Sequence, residues 1–423
     1  MDKFDYLIIG GGVCGATAAD IIRQNDKNCS IAVVSDEPHP LYSRVMLSKP
    51  EFFLGHIPFE KIWMKGTEWY EQNRISFLGG RLATALDTAQ KTISLRDGTR
   101  LRYGKLLIAS GVRARTWSGP GADKKGIYVL RSLEHGKAIM EAVKIKKHAV
   151  VIGGGFISFE MDDLLRKANI EVTHLIRENY YWEPVLDEAS GRMIETALEK
   201  GGVKIMRNKE IAEIKGGDEV EGVLLKDGTE IACDMVLCGI GAYGELDWVK
   251  NAGVAVNKGI LANEYLETSA PDVWTGGDIA EFKDLILDEN IQLGNWVNAH
   301  EQGRIAALNM LGKKIPFKFV SFYTTQGFGI SIAFTGDVWT VGNNRTVINR
   351  GTPESGSYAR IILKGNEVEG ATFINRTQEM SVVSKLIRQN IDVSKHHSEL
   401  ADPNFDLKKL LPTPTPEPIV ISN

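Results

Sequence analysis

Apolar residues along this chain gather in short runs that end on glycine. Tyr6-Leu7-Ile8-Ile9 leads into Gly10-Gly11-Gly12-Val13-Cys14-Gly15, and a second apolar run follows at Ser30–Val34. Short apolar runs bounded by turn residues read as buried strands, and the stretch between them reads as a helix over Ala16–Gln24. This predicts a βαβ unit whose first strand is Phe4–Ile9. The pattern recurs where Ala149-Val150-Val151-Ile152 enters Gly153-Gly154-Gly155-Phe156-Ile157-Ser158, giving a second unit over 148–176. Between the two, residues 76–110 alternate in strand fashion, with Asp97-Gly98 as a hairpin turn and Lys105–Ala109 as an apolar strand. Ser118-Gly119-Pro120-Gly121 reads as a crossing between domains.

Later segments extend the pattern. A helix is expected over Asp187–Lys200, a turn at Asp227-Gly228, and a strand over Val236–Ile240 that stops at Gly241. A short strand, Asp272–Thr275, precedes Gly276-Gly277-Asp278, and Asn298–Leu311 is amphipathic and helical. From about 315 the pattern is mostly β, with turns at Asn343-Asn344 and Lys364-Gly365-Asn366 and a helix over Gln378–Gln389. Prolines at 412, 414, 416 and 418 give an extended tail.

The two glycine loops carry the clearest chemistry. In a strand–loop–helix context the first glycine makes the tight turn. The second lets backbone approach a pyrophosphate, and the third lets helix and strand pack closely. Asp36 and Glu37 follow the first unit, where an acid accepts the ribose hydroxyls of an adenosine. Two such loops in one chain point to two dinucleotides, and so to electrons moving between them. The copies differ, because Ser158 stands at the third glycine of the second.

Composition narrows the classes. With 43% hydrophobic and 25% charged residues and a net charge of -4, nothing favours nucleic acid or an anionic membrane as partner. No apolar run reaches the roughly 18–20 residues that span a bilayer. The first strand begins almost at the first residue, so a cytoplasmic location is the default expectation. Four cysteines, Cys14, Cys29, Cys233 and Cys238, are too few and too scattered for a disulfide framework, and no cluster suggests a metal. Cys233 and Cys238 fall in one strand-like run, Ile231–Cys238, where an odd separation puts them on opposite faces as packed thiols.

Further motifs follow in order: Tyr42-Ser43-Arg44-Val45-Met46-Leu47-Ser48-Lys49, Ile108-Ala109-Ser110-Gly111, Leu130-Arg131-Ser132-Leu133, Thr268 to Asp278, and Gly294 to Gly303. Together with the loops they resemble flavoprotein reductases that use FAD and a nicotinamide nucleotide. The branch is that of ferredoxin and rubredoxin reductases, the flavin portion of NADH-dependent nitrite reductase, and apoptosis-inducing factor. The resemblance is close over roughly 4–312 and looser beyond. It implies an α/β fold of two Rossmann-like domains, with the NAD(P) domain inserted in the FAD domain, plus a smaller C-terminal α+β interface domain. The implied divisions are 1–117 and 242–312 for FAD, 118–241 for NAD(P), 313–400 for the interface domain and 401–423 for the tail.

The same resemblance assigns roles. Gly10, Gly12, Val13, Cys14 and Gly15 match the FAD pyrophosphate loop, with Asp36 or Glu37 as ribose acid and Leu82 beside adenine. Arg44, Lys49 and Arg131 match FAD-contacting cations, Ala109-Ser110-Gly111 closes the first FAD segment, and Gly277-Asp278 meets the ribityl chain. Trp296, Val297 and Asn298 begin a helix aimed at the flavin pyrimidine, where a helix N-terminus favours negative charge. Gly153, Gly155, Phe156, Ile157, Arg177 and Gly241 belong to the nicotinamide site. Glu160 is implied to pair with Lys49 beside flavin N5, positioning the nicotinamide. His300 lies in the flavin-facing helix.

Departures are informative. No cysteine lies between Cys29 and Cys233, so the thiol chemistry of many relatives is absent and the flavin alone hands electrons on. Ile176 stands where NAD-preferring relatives place a glutamate, and the following Arg177 suits a 2′-phosphate, which tilts the expectation toward NADPH; the alternative is that Glu178 takes the acid's role. Tyr180-Tyr181-Trp182 reads equally as an aromatic loop packed on its own domain and as a stacking face for adenine. The reading that results is an FAD-dependent NAD(P)H oxidoreductase. It serves a rubredoxin- or ferredoxin-like partner, another subunit of a redox complex, or a small acceptor, with the third domain as dimer or partner surface. The alternatives are an FAD-binding subunit or sensor with a degenerate nicotinamide site, and an oxygen-consuming oxidase.

Overall fold

The apolar run ending at Ile9 is the centre of a parallel sheet in the computed structural model, which describes residues 1–339 and 345–412. The expected Asn343-Asn344 turn and the tail from 413 onward lie outside the described residues. β1 (Asp2–Ile9) lies between β2 (Ile31–Val34) and the strand Arg100–Ile108. Its last four residues are buried on both faces, which is why the run is continuous rather than alternating. With β3 (Ile75–Leu78), β4 (Ala83–Asp87), β5 (Thr92–Leu95) and β6 (Arg100–Ile108), the order is β3-β2-β1-β6-β5-β4. The distant strand Val273–Thr275 also joins this sheet, parallel to β6, with Val273 opposite Leu106. Segments far apart along the chain, 100–108 and 273–275, are therefore part of the first sheet.

Between them stands a second parallel sheet. β7 (Ile127–Tyr128), β8 (His148–Ile152), β9 (Glu171–Leu175), β10 (Val203–Met206) and β11 (Met235–Cys238) take the order β10-β9-β8-β11-β7. An antiparallel meander over 211–232 packs its apolar side on this sheet through Ile214, Val223 and Val236. The chain leaves and re-enters the first domain side by side, as Arg113–Ala114 pairs antiparallel with Ala242–Tyr243.

The C-terminal part is an antiparallel sheet of β12 (Phe322–Gly327), β13 (Ile330–Gly336), β14 (Arg345–Thr352), β15 (Ser357–Lys364) and β16 (Glu367–Ile374). The helix Met380–Arg388 covers it with Val383, Leu386 and Ile387, packed against Ile361 and Phe373. Lys364-Gly365-Asn366 is the tight turn between β15 and β16. Arg350 is fully buried and holds the segment 400–405 against the sheet, reaching Glu379 at 2.9 Å and the carbonyls of Leu400 and Phe405.

One expected strand is two. The Ile231–Cys238 run breaks between Glu230–Ala232 and β11. At the break, the Asp234 carboxylate accepts the backbone N–H groups of Lys147 and His148, which pulls the chain out of the meander and into the parallel sheet. Cys233 and Cys238 consequently face one apolar cluster rather than opposite sides. All four cysteines are free and buried.

The helices Val13–Asn25 and Trp296–Met310 cross where Gly303 meets Cys14. A Cβ on Gly303 would lie 2.3 Å from the Cys14 carbonyl oxygen, a backbone atom that no rotamer change can move. Gly303→Ala gains about 1 kcal/mol of helix propensity but overpacks the crossing by about 1–3 kcal/mol. The expected outcome is a net loss near 1 kcal/mol in urea unfolding, with reduced FAD retention; unchanged stability would mean that the helices slide apart freely.

Candidate active site

The first glycine loop opens into a cavity of about 460 Å³ that continues, past Gly10, Asp36, Arg44 and Arg131, into a second lobe of about 440 Å³. Gly10 has φ +122°, and a Cβ there would lie 2.0 Å from the Ala109 carbonyl oxygen. A Cβ on Gly15 would meet the Gly10 carbonyl oxygen at the same distance, so loop and helix close up only because both are glycine. Gly12 caps the helix and has open space over it, the place for an anion at a helix N-terminus. Val13, Cys14, Ala109, Ser110, Gly111, Gly277, Asp278, Trp296 and Val297 line the first lobe, and Glu37 and Leu82 line the second. Gly15 and Asn298 lie behind the wall. Asn298 is fully buried, and its backbone N–H is capped by the Asn295 side chain. His300 is turned away and pairs with Glu301. A separate cavity of about 420 Å³ between 281–293 and 319–339 touches neither loop.

Charge is arranged along the two lobes. Both Glu37 oxygens are engaged, by Arg44 at 2.5 Å and by the Tyr42 hydroxyl at 2.6 Å. Burial pushes the Glu37 carboxyl up, but the Arg44 charge and the two hydrogen bonds outweigh it and hold it below its ordinary value. Asp36 is more exposed and pairs with Arg113 at 3.1 Å, which leaves it the freer acid for ribose hydroxyls. Arg131 reaches Asp278 at 2.9 Å. An elongated two-lobed space, an uncovered helix N-terminus at its middle and hydroxyl acceptors at one end suit FAD. Cys14 lines the wall, but burial, with the Asp278 carboxylate second, pushes its thiol up and keeps it protonated.

Glu160 closes the far side of the first lobe. Its side chain is only 4% exposed, and three donors surround it. Lys49 reaches Oε1 at 2.6 Å, Thr325 donates to Oε1 at 2.7 Å, and Ser48 donates to Oε2. Lys49 and Glu160 are thus in contact. Ser48 was within a motif read for its neighbours. Thr325, and its neighbours Phe322, Tyr323 and Thr324 that line the cavity, carry no sequence signal at all.

The second glycine loop is built differently. Gly153 has φ +104° and approaches Gly239, as a dinucleotide turn requires. Ser158 is fully buried at the third position. It fits because residue 239 is also glycine; a Cβ there would lie 2.0 Å from the Ser158 Oγ. Gly155 caps the helix Phe156–Lys167 and is open above, as is Gly241. Ile157 lines the first lobe. Phe156 lies instead in an aromatic cluster with Trp182, Tyr323 and Phe334. Tyr181 is fully buried and Trp182 packs on Phe334, so this loop packs largely inward, with Tyr180 and Trp182 each partly exposed. Ile176 is fully buried, whereas the Arg177 side chain is 76% exposed and held by Glu178 at 2.7 Å.

Comparison with known proteins agrees with this architecture. Residues 4–303 match the pyridine nucleotide-disulphide oxidoreductase family, and residues 325–411 match a reductase C-terminal domain. The chain is 32% identical over 405 residues to the ferredoxin–NAD(+) reductase component of the biphenyl dioxygenase system of Paraburkholderia xenovorans, covering 96% of this chain and 97% of that one. It is 30% identical to the NAD(P)H nitrite reductase of Bacillus subtilis over 93% of its own length but 48% of the relative's, so it spans about half of that protein. Among solved structures, the putidaredoxin reductase of a covalent putidaredoxin complex superposes with a TM-score of 0.89 at 27% identity, covering 97% of this chain and 98% of that one. A ferredoxin reductase from Rhodopseudomonas palustris gives 0.88 at 26% identity, covering 96% and 99%. The chain belongs to the pyridine nucleotide-disulphide oxidoreductase family and is a flavin-dependent oxidoreductase of that family. Among the described residues no helix is long and apolar enough to cross a membrane.

Two outcomes follow from the geometry. Gly239→Ala drives a methyl into Ser158 and should cost about 1–3 kcal/mol of stability in urea unfolding, whereas adding Ser158→Gly should restore most of it; a double variant no better than the single one would refute the contact. Because the folded Glu37 carboxyl lies below its ordinary value of about 4.5, its stabilisation is complete above that pH and fades as pH falls through the folded value. Compared with Glu37→Gln, the wild-type advantage in urea midpoint should stay constant from about pH 7 to 5 and shrink below about 4.5. An advantage that persists undiminished would place the pairing elsewhere.

Proposed function

We propose that the protein oxidises NAD(P)H and passes the electrons through FAD to a small redox protein of the ferredoxin or rubredoxin type, without a protein thiol. The observation that carries this is the Lys49–Glu160 contact. It joins the helical turn beside the first glycine loop to the helix of the second, on the wall of the same cavity. When bound there, FAD would accept hydride at N5 and release electrons to the next carrier. The chain's own part is positioning and charge. Gly10 and Gly12 would bring backbone close to the FAD pyrophosphate, and Arg44 and Arg131 would border it. Ile157 and Glu160 would lie on the side from which the nicotinamide approaches the flavin. Lys49 supplies the cation that a buried carboxyl at this position needs beside it.

The partner class rests on the relatives, one a ferredoxin–NAD(+) reductase component and one a reductase joined to putidaredoxin. Arg177, the nearest cation beyond β9, favours NADPH over NADH. No acid lies at Ile176 to repel a 2′-phosphate, and Glu178 is neutralised by Arg177 itself.

Anaerobic mixing with each nucleotide tests the reading. Rapid bleaching of the oxidised flavin is expected, faster with NADPH than with NADH. Absence of bleaching by both would leave only a flavin-binding subunit with a degenerate second site. Glu160→Gln, at retained flavin content, should slow bleaching at saturating nucleotide by about tenfold, or roughly 1.4 kcal/mol of barrier.

A further inference from the structure

A wholly buried polar cluster lies beneath the second glycine loop, away from the lining of the flavin-sized cavity. His174, in β9, places Nδ1 2.6 Å from Asp162 Oδ2 and Nε2 3.0 Å from the Gly153 carbonyl oxygen. Both side chains are completely buried. A carbonyl only accepts, so its partner fixes the tautomer: Nε2 carries a hydrogen. One further proton is shared between Nδ1 and Oδ2, and the pair is neutral whichever atom holds it. That neutrality is what lets two titratable groups sit in this interior.

Tyr181 acts on the other end of the loop. Its hydroxyl lies 3.3 Å from the Gly155 carbonyl oxygen and must donate there. The phenol ring stands edge-on to the His174 imidazole at 5.4 Å. Tyr181 is itself anchored, because its backbone N–H donates to Glu195 Oε1 at 2.9 Å. Glu195 is in turn held by Arg192 at 2.8 Å and Arg207 at 2.7 Å. Among the described residues no side chain donates to the carbonyls of Gly10, Gly11 or Gly12, so the first loop has no such ties.

A trans peptide is planar, and its N–H points opposite to its C=O. Drawing the Gly153 carbonyl inward therefore turns the Gly154 N–H outward; the Gly155 carbonyl already accepts the Phe159 N–H at 3.1 Å as the first bond of the helix, and Tyr181 adds a second hold that keeps the Phe156 N–H outward. Those are the groups a diphosphate meets at a helix N-terminus. Glycine peptides are otherwise the freest in a chain, and fixing them costs the most entropy on binding. The second loop has Ile176 where a ribose acid would stand, and Glu178 two residues on is engaged by Arg177, so the diphosphate contacts carry more of the affinity.

We propose that His174 and Tyr181 are positioning residues for the nicotinamide nucleotide, orienting the 153–154 and 155–156 peptides toward its diphosphate. This rests on the second loop being the nucleotide site, as the previous subsection reads it. The role is separate from hydride transfer, because neither side chain touches the cavity wall at Glu160.

The test uses FAD-replete protein and three variants: Tyr181→Phe, His174→Leu, and His174→Gln, whose amide can still donate to Gly153. Calorimetry gives the dissociation constants of ADP-ribose, which reports the diphosphate site without redox chemistry, and of NADP+; steady-state assays give KM and kcat. Tyr181→Phe, which loses one buried hydrogen bond, should weaken ADP-ribose about threefold to tenfold, and His174→Leu, which loses two and leaves Asp162 without its partner, about tenfold or more. KM should rise in step, kcat should stay within about twofold, and His174→Gln should return to within about threefold of wild type. Variants that bind ADP-ribose as tightly as wild type overturn the proposal, as does a loss of kcat with KM unchanged. If His174→Leu does not fold, Tyr181→Phe decides alone by the same criteria. Wild-type protein that binds neither ADP-ribose nor NADP+ overturns instead the assignment of the second loop.

Discussion

The arrangement of this chain depends on one buried carboxylate. Glu160 belongs to the second glycine-loop helix, yet its donors come from elsewhere: Ser48 and Lys49 from the first domain, and Thr325 from β12. A carboxylate in an apolar interior is unfavourable by several kcal/mol unless it is paired and hydrogen-bonded. Here every donor is supplied across a seam, so the charge is tolerable only when three parts of the chain meet in one geometry. That geometry also makes the cavity wall. Stability and site placement are the same constraint at this point, and a loosened seam would expose the flavin edge and strand the charge together.

The two glycine loops solve one problem in two ways. Residue 15 is glycine, so helix and strand approach directly, and the Gly10 backbone is held by that contact and by its N–H donating to the Val34 carbonyl at 2.7 Å. Ser158 forbids that closeness, and the fold accommodates it at Gly239, across the sheet. Its hydroxyl finds no hydrogen-bond partner there, a modest unfavourable term. The loop is then steadied by side chains rather than by a third glycine. A departure from the fingerprint is therefore weak grounds for inferring a dead site, because the lost contact can be replaced by residues distant in sequence.

Much of the fold was legible because it depends on local pattern. The run Tyr6–Ile9, the glycines after it and the Asp97-Gly98 turn each specify their own conformation, and the elements appear within a few residues of their expected bounds. The helix Val13–Asn25 starts three residues earlier than its apolar face suggests, because Gly12 rather than Ala16 supplies the cap. The Ile231–Cys238 run misled for the opposite reason. Its pattern is continuous, but a long-range bond from Asp234 to the backbone of Lys147 and His148 ends one strand and begins another. In the site, residues on glycine loops were readable, whereas Thr325, His174 and Tyr181 act through contacts 21 to 165 residues away that no local pattern encodes.

The absence of a usable thiol gives the C-terminal sheet its importance. Burial pushes Cys233 up to about 12 and Cys238 up to about 11, and Cys14 is pushed further, so none of the three is a thiolate at neutral pH. On the proposed reading, electrons leave by the open edge of the flavin cavity. Phe322, Tyr323 and Thr324 form part of that edge, beside the exposed Val45 and Ile157. The segment with the weakest sequence signal is thus the one that any acceptor must approach. Acceptor choice is set by complementarity to a surface, which needs only shape and charge, whereas cofactor binding needs backbone in fixed conformations and so leaves glycines behind as a signature.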